Sequence, residues 1–420
     1  MTAPLPTSSA RQASKLRARK GHRPRSASWT DAELKGTATM SRVSIVKVEN
    51  DYYDALLQAL DDIGEKPVSR GDRVLIKPNL YEPHAPDSGE ITNPRLVEAV
   101  ARYCLDAGAG RVIIGEGPSY YQPESRLKKC FTEPGISEVA DRLGIEWVLF
   151  DEHKFRTFRG ISGATPDEFR VTEFAFTCDK LINVPVMKTH YQTTVTLAVK
   201  NLKGCLKRED KPRFHQQKSL SQAIVELNKI VRPTLNIIDA TAKTLGSIGY
   251  SMVKQPLDAR LLLTSTDAVA VDAVGCALMG IDPDTVPTVT LGAAAGLGES
   301  NLTRIEIIGE ELKRLKFKVK LPQEQLQRSF PQLEISGTDK ACSGCFIPLL
   351  SELLMLIERE ARLKMPLRIC VGTDPDIPES RAYLLVGDCA ITELDEEAKC
   401  VAGCPPTREE IRQRLIPYFS

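Results

Sequence analysis

Two groups of residues in this sequence have the types and spacing to do chemistry, and the first is a set of thiols. Cys342-Ser-Gly-Cys345 places two cysteines one short turn apart, a spacing that lets a single metal centre take both. Downstream, Gly387-Asp-Cys389-Ala follows directly on an apolar run, and Cys400-Val-Ala-Gly-Cys404-Pro-Pro stands at a turn before a helix start. Glycine lets the backbone approach a cluster closely, and proline fixes the turn after the thiolate. Cys342, Cys345, Cys389 and Cys404 are therefore the candidate ligands of a [4Fe–4S] cluster, which takes four thiolates, and Cys400 is the spare. If the fold keeps Cys389 out of bonding reach of the other three, Cys400 takes its place. Zinc held by four cysteines is the alternative, and the first pair alone would also suit a redox dithiol. The second pair of a zinc site is usually another close Cys-x-x-Cys, whereas ten residues separate Cys389 from Cys400 here.

The second group lies where apolar runs end in polar residues. Ligands of open parallel sheets bind outside the carboxyl ends of the strands. Val74-Leu-Ile is followed by Lys77-Pro-Asn79, Val112-Ile-Ile by Gly115-Glu116-Gly117, and Leu181-Ile-Asn-Val leads to Lys188-Thr-His190, while Leu235-Asn-Ile-Ile ends on Asp239. Lys200-Asn201-Leu-Lys203-Gly follows, with His215 a short way on. Four lysines and two histidines suit a carboxylate or phosphate ligand, and histidine can carry a proton near neutral pH. Lys188, His190 and Lys77 are the candidate catalytic residues. Asn79, Glu116, Lys200, Asn201, Lys203, His215 and Asp239 are the candidate substrate-binding residues. Gly115-Glu-Gly117 lacks the third glycine of a dinucleotide loop, and no Walker loop is present.

These residues need a scaffold, and the hydrophobic pattern supplies one. Short β-branched runs are read as strands at Val43–Val48, Arg73–Ile76, Arg111–Ile114, Glu146–Phe150, Leu181–Val184, Leu235–Ile238 and Arg260–Leu263. They alternate with helical periodicity over Asp51–Ile63, Pro94–Ala107, Lys218–Val231 and Asp267–Met279. The expected class is α/β: a largely parallel sheet over 41–312, a Lys- and Gln-rich linker over 313–336, and a smaller α/β cysteine-rich domain over 337–420. In the small domain a helix is expected around Pro348–Glu360, strands at Leu367–Val371 and Tyr383–Val386, and a capped helix from Thr407, where Thr-Arg-Glu-Glu410 is a capping-box pattern. Residues 1–40 are expected as a disordered tail, since the first thirty carry seven Lys/Arg and no acid. The strand pattern that follows Met40 also leaves Met40 as an alternative start of translation.

Bulk composition narrows the class. With 42% apolar and 26% charged residues in 420, the chain reads as an ordinary globular protein, and its formal charge of +1 gives no reason to expect nucleic acid as a partner. No apolar run suggests a membrane span or secretion signal, so a cytoplasmic location is expected. Eleven cysteines in such a protein point to metal binding or burial rather than disulfides.

At Lys77-Pro-Asn79, Thr92-Asn-Pro94, Leu181 to His190, Val195 to Gly204 and Ser265-Thr-Asp267-Ala-Val-Ala-Val-Asp272-Ala-Val-Gly275, the sequence resembles the domain-of-unknown-function family 362, over roughly residues 42–308. That resemblance implies a fold more than an activity, although many relatives carry an attached iron–sulfur segment. The pieces around Cys389 and Cys404 are locally similar to those around the cluster in the small subunits of nickel–iron hydrogenases. The expected function is an iron–sulfur oxidoreductase whose cluster passes electrons to a small anionic substrate at the sheet edge, with protons from Lys188 or His190. The alternatives are an electron carrier docking on a redox partner protein, a zinc-binding module, or a cluster-independent acid–base enzyme acting on a carboxylate.

Overall fold

The computed structural model describes residues 40–420 apart from 121–122, 161–162, 191, 216, 218, 249–254, 258, 339–340, 342, 374, 380 and 392–395. The expected tail over 1–39 and the candidate ligand Cys342 lie outside the described residues.

Eight strands form the main sheet: β1 (Ser41–Lys47), β2 (Arg73–Pro78), β3 (Arg111–Glu116), β4 (Glu146–Leu149), β5 (Lys180–Val184), β6 (Leu235–Ala240), β7 (Leu261–Ser265) and β8 (Ile305–Gly309). Their order is β8-β1-β7-β6-β5-β2-β3-β4. Only β7 runs against its neighbours, being antiparallel to both β1 and β6. The sheet is thus largely parallel, as the alternation of apolar runs and amphipathic segments predicts, and a separate smaller sheet follows. Helices cover both faces, and an apolar core fills each side.

Helix starts are set locally. Asn93 caps Pro94–Asp106 by accepting from Arg95 N, and Asp267 caps Ala268–Leu278 by accepting from Val269 N and Ala270 N. Thr407 and Glu410 form the reciprocal capping box at Arg408–Leu415.

The second sheet is fully parallel, with strands Leu333–Ser336, Leu367–Val371, Ala382–Val386 and Cys400–Val401 in that order. Helix Ser343–Glu358 packs on it through Leu349, Leu350 and Leu353. The stretch expected as a linker carries helix Pro322–Ser329 and the first strand of this sheet. Leu326, Phe330 and Leu333 are buried in the small core, which is why those residues are ordered rather than a bare connection. No helix among the described residues is long and apolar enough to cross a membrane.

Candidate functional site

The four strand ends singled out in the sequence are adjacent. β6, β5, β2 and β3 are parallel neighbours, with Ile76 in register with both Ile182 and Ile114, and Asn183 with both Lys77 and Asn236. Their carboxyl ends therefore open on one rim. After β5 the chain forms a hairpin, Lys188–His190 against Thr194–Thr196, and then the helical turn Ala198–Asn201. These segments place Lys188, His190, Lys200 and Asn201 beside the rim.

Asparagines knit the segments together. Asn201 Nδ2 donates to Asn183 Oδ1 at 2.8 Å, and Asn183 Nδ2 donates to Asn236 Oδ1 at 2.9 Å and to Ala198 O at 3.0 Å. Asn79 Nδ2 donates to Asn201 Oδ1 at 3.0 Å. Beside them Lys77 Nζ meets Glu116 Oε2 at 2.8 Å, with both side chains fully buried. The carboxylate also accepts from Leu80 N at 3.3 Å and Gly117 N at 2.8 Å, so neither oxygen is left without a donor. Gly204 packs against this pair, and a Cβ there would collide with both Glu116 and Lys77.

Above the ion pair lies a cavity of about 100 Å³. Asn79, Glu116, His190, Lys200, Asn201, Lys203 and His215, all expected from the sequence, line it. Lys77, Lys188 and Asp239 do not. Lys77 is held below by Glu116. Lys188 donates to Glu90 O at 2.6 Å and lies 4.1 Å from the ring centre of Tyr81, which itself lines the cavity. Asp239 faces the protein: it accepts from Asn93 N at 2.7 Å and from Thr241 N and Oγ1 at 3.0 and 2.6 Å. It secures the start of helix Pro94–Asp106 rather than a ligand.

The cavity's chemistry is set by buried cations. Burying an ammonium without a partner costs several kcal/mol, so such groups give up their proton or wait for an anion. Burial brings Lys200 down to about 7, with repulsion from Lys188 adding to it, and brings Lys188 down to about 8. Burial and the neighbouring Lys200 and Lys211 hold Lys203 well below the usual lysine range, and its Nζ contacts His215 Nε2. Lys211 is lowered by burial too, though its Nζ donates to Gly117 O at 2.5 Å and Pro118 O at 2.8 Å. Glu116 is the one carboxylate among the described lining residues, and it is already paired. An anion entering here would supply the counter-charge that lets these amines hold their protons.

His190 is arranged for a narrower part than the proton carrier expected of it. Its Nδ1 accepts from Gln192 N at 3.1 Å and Thr193 N at 3.2 Å, so the ring proton sits on Nε2. Burial and the surrounding lysines push its pKa well below 6.5. A neutral ring with Nδ1 engaged is fitted to donate a hydrogen bond from Nε2.

Sequence reasoning missed Tyr81, Tyr120, Lys211 and Asp272. Asp272 lies within a motif already noted, but its part depends on a contact between segments 74 residues apart: its carboxylate accepts from Ala198 N and Val199 N. Lys211 follows a charged run, Lys207-Arg-Glu-Asp, which looks like solvated surface until Asp210 is seen pairing with Arg170 at 2.9 Å, leaving Lys211 turned inward.

The cysteine segments also converge in part. Cys345 is buried on the first turn of helix Ser343–Glu358. Its sulfur lies directly against Gly387, where a Cβ would collide with it, and Gly387 holds φ 91°, a conformation that favours glycine. The turns bearing Cys389 and Cys404 are clasped: Asp388 N donates to Gly403 O at 3.2 Å, and Gly403 N to Asp388 Oδ1 at 2.6 Å. Cys389 and Cys404 are exposed. Cys400 points the other way. Its register partner is Leu385, and the two pack with Cys370 on the opposite face from Val386, Val401 and Cys345. Among the described residues no three His, Cys, Asp or Glu side chains gather closely enough to hold a single metal ion.

Fold and site define an α/β protein with a lysine-rich cavity at the carboxyl rim of a largely parallel sheet. Residues 74–277 match the model of the domain of unknown function DUF362. A thylakoid-associated protein of Synechocystis sp. is 31% identical over 247 residues, covering 58% of this chain and 73% of that protein. The chain belongs to the DUF362 family. Among solved structures, the lactate racemase apoprotein from Thermoanaerobacterium thermosaccharolyticum is similar over 56% of this chain and 56% of that one, at 14% identity and TM-score 0.37. A structural-genomics target protein from Thermotoga maritima is similar over 59% of this chain and 60% of that one, at 10% identity and TM-score 0.30. The chain spans less than two thirds of either solved protein, and likenesses this distant do not bear on the site.

Proposed function

We propose that this protein is an iron–sulfur oxidoreductase that binds a small organic anion in the lysine-rich cavity and exchanges electrons with it through a centre held by the C-terminal cysteines. One observation carries the reading. Helix Ser343–Glu358 bears Cys345 on its first turn, and Ile347, two residues on, is part of the cavity wall. A centre on Cys345 would therefore stand at the cavity's edge.

Cys345, Cys389 and Cys404, with Cys342, would hold a [4Fe–4S] cluster, which supplies single electrons when bound. Gly387 lets the Cys345 sulfur lie against the backbone of the turn that bears Cys389. Zinc fits less well. At about 2.3 Å per bond its four sulfurs would lie within roughly 3.8 Å of one another, a crowding that a four-iron cluster does not require. The cavity's own residues would do the rest. Lys200, Lys203 and Lys211 neutralise the anion, His190 donates from Nε2 to an oxygen that gains charge, and Lys200 can carry the accompanying proton. Such thiols need a reducing compartment, the cytoplasm among them, and the electrons need a donor protein.

The test is anaerobic purification of the full chain followed by iron, sulfide and zinc analysis and electron paramagnetic resonance of the dithionite-reduced protein. About four irons per chain and a cluster signal that changes when oxalate is added support the reading. Colourless protein with one zinc per chain overturns it.

A further inference from the structure

Five lysines, all buried but the half-buried Lys203, surround or underlie the cavity, and four of them are committed to other groups. Lys77 pairs with Glu116, Lys188 donates to Glu90 O across the face of Tyr81, Lys203 contacts His215, and Lys211 is anchored on the carbonyls of Gly117 and Pro118. Lys200 stands apart. It lines the cavity with only 9% of its surface exposed, and among the described residues no carboxylate pairs with it. Its Nζ comes only within 3.5 Å of Thr196 Oγ1, the outer limit of a hydrogen bond. The turn that carries it is fixed at its start by the Asp272 carboxylate. A buried amine without a counter-charge rests in its neutral form, which is the nucleophilic one.

We infer that Lys200 is a nucleophilic amine that condenses with the carbonyl carbon of a small 2-oxo acid whose carboxylate is held by Lys203 and Lys211. The nitrogen attacks the carbonyl carbon. The carbonyl oxygen departs as water, taking both amine protons, and the product is an imine between Lys200 and the acid. No electron is exchanged, so the step goes beyond the redox reading and stands without it. The 2-oxo acid follows from the cavity: the amine needs a carbonyl, and the remaining cations need an anion beside it. The arriving carboxylate supplies the counter-charge that lets Lys203 or Lys211 hold a proton, which makes the committed lysines anchors and leaves Lys200 as the reacting one.

Glyoxylate with sodium cyanoborohydride tests this on the full-length protein, since reduction fixes the imine as a carboxymethyl group that peptide mass mapping locates. At about pH 8 Lys200 is neutral while surface lysines remain charged. The expected result is one carboxymethyl group per chain, on Lys200, formed at least about tenfold faster than on any surface lysine and suppressed by oxalate, which carries two carboxylates and no reactive carbonyl. Lys200→Arg should lose the label, and Lys200→Met serves if the arginine variant does not fold. Modification scattered over surface lysines, modification confined to Lys203, or labelling that oxalate does not slow overturns the inference. A colourless zinc protein labelled at Lys200 defeats the redox reading and supports this one. A brown, cluster-bearing protein without the label does the reverse.

Discussion

The carboxylate of Asp272 takes the main-chain N–H of Ala198 on one oxygen at 2.6 Å and that of Val199 on the other at 3.0 Å. Asp272 is buried within helix Ala268–Leu278, and the turn it holds presents Lys200 to the cavity and Asn201 to the strand ends. It touches no ligand position itself and acts by placing the residues that do.

Asp272→Ala leaves two buried donors without partners. At about 1–3 kcal/mol for each, the variant should lose roughly 2–6 kcal/mol of stability, measured from urea midpoints at constant slope. Asp272→Asn keeps one acceptor oxygen and should lose about half as much. A loss below about 1 kcal/mol in the alanine variant would mean that water replaces the carboxylate and that the turn is held by other contacts.

The buried pair of Lys77 and Glu116 invites a double-mutant cycle. Removing one partner of a buried ion pair strands the other, so Lys77→Met and Glu116→Leu should each cost about 3–5 kcal/mol. The double variant Lys77→Met, Glu116→Leu should cost much less than the sum, because it leaves no stranded charge. Additive losses in urea unfolding would show that the two side chains are held independently, by Pro78 O and by the Leu80 and Gly117 amides.

The rim was legible in the sequence because it depends on a rule about strands: apolar runs ending in Lys77, Glu116, Lys188 and Asp239 had to converge if the strands were parallel neighbours, and they are. What each end does was not legible. Asp239 and Lys77 look alike in a sequence, as charges after an apolar run, yet one secures a helix start and the other an ion pair. Those assignments depend on Asn93, Thr241 and Glu116, which arrive from other segments. Asp272 was hidden for the same reason. In the small sheet, alternation along Cys400–Val401 settles which way Cys400 points only once its partner strand is known.

His190 should remain a neutral Nε2–H tautomer across the physiological range. Nitrogen-15 NMR of histidine-labelled protein is expected to show one protonated and one unprotonated ring nitrogen for His190 from about pH 6 to 8, with no titration near the ordinary 6.5. The sign follows from burial and neighbouring cations, both of which disfavour the imidazolium. A transition to imidazolium above about pH 6 would return His190 to the role of proton carrier.

Anion affinity should depend on pH through Lys200. In the empty cavity burial brings this lysine to about 7, and the second carboxylate of a bound oxalate, standing where a 2-oxo acid would place its uncharged carbonyl, favours the ammonium and so raises that value. Below about 7 the side chain is already protonated and affinity should be flat. Above it, binding must take up a proton, and affinity should fall as pH rises, by up to about tenfold per unit for each proton taken up. The fall ends where pH passes the raised value in the complex. Calorimetry of oxalate binding at about pH 8 in two buffers of different ionisation enthalpy should report uptake of nearly one proton by Lys200 beyond any that Lys203 or Lys211 takes up, and Lys200→Met should remove that share. Oxalate cannot condense with the amine, so this measurement isolates electrostatics from imine formation. Affinity that is constant from about pH 6.5 to 8.5, with no proton taken up, would mean that Lys200 does not face the anion.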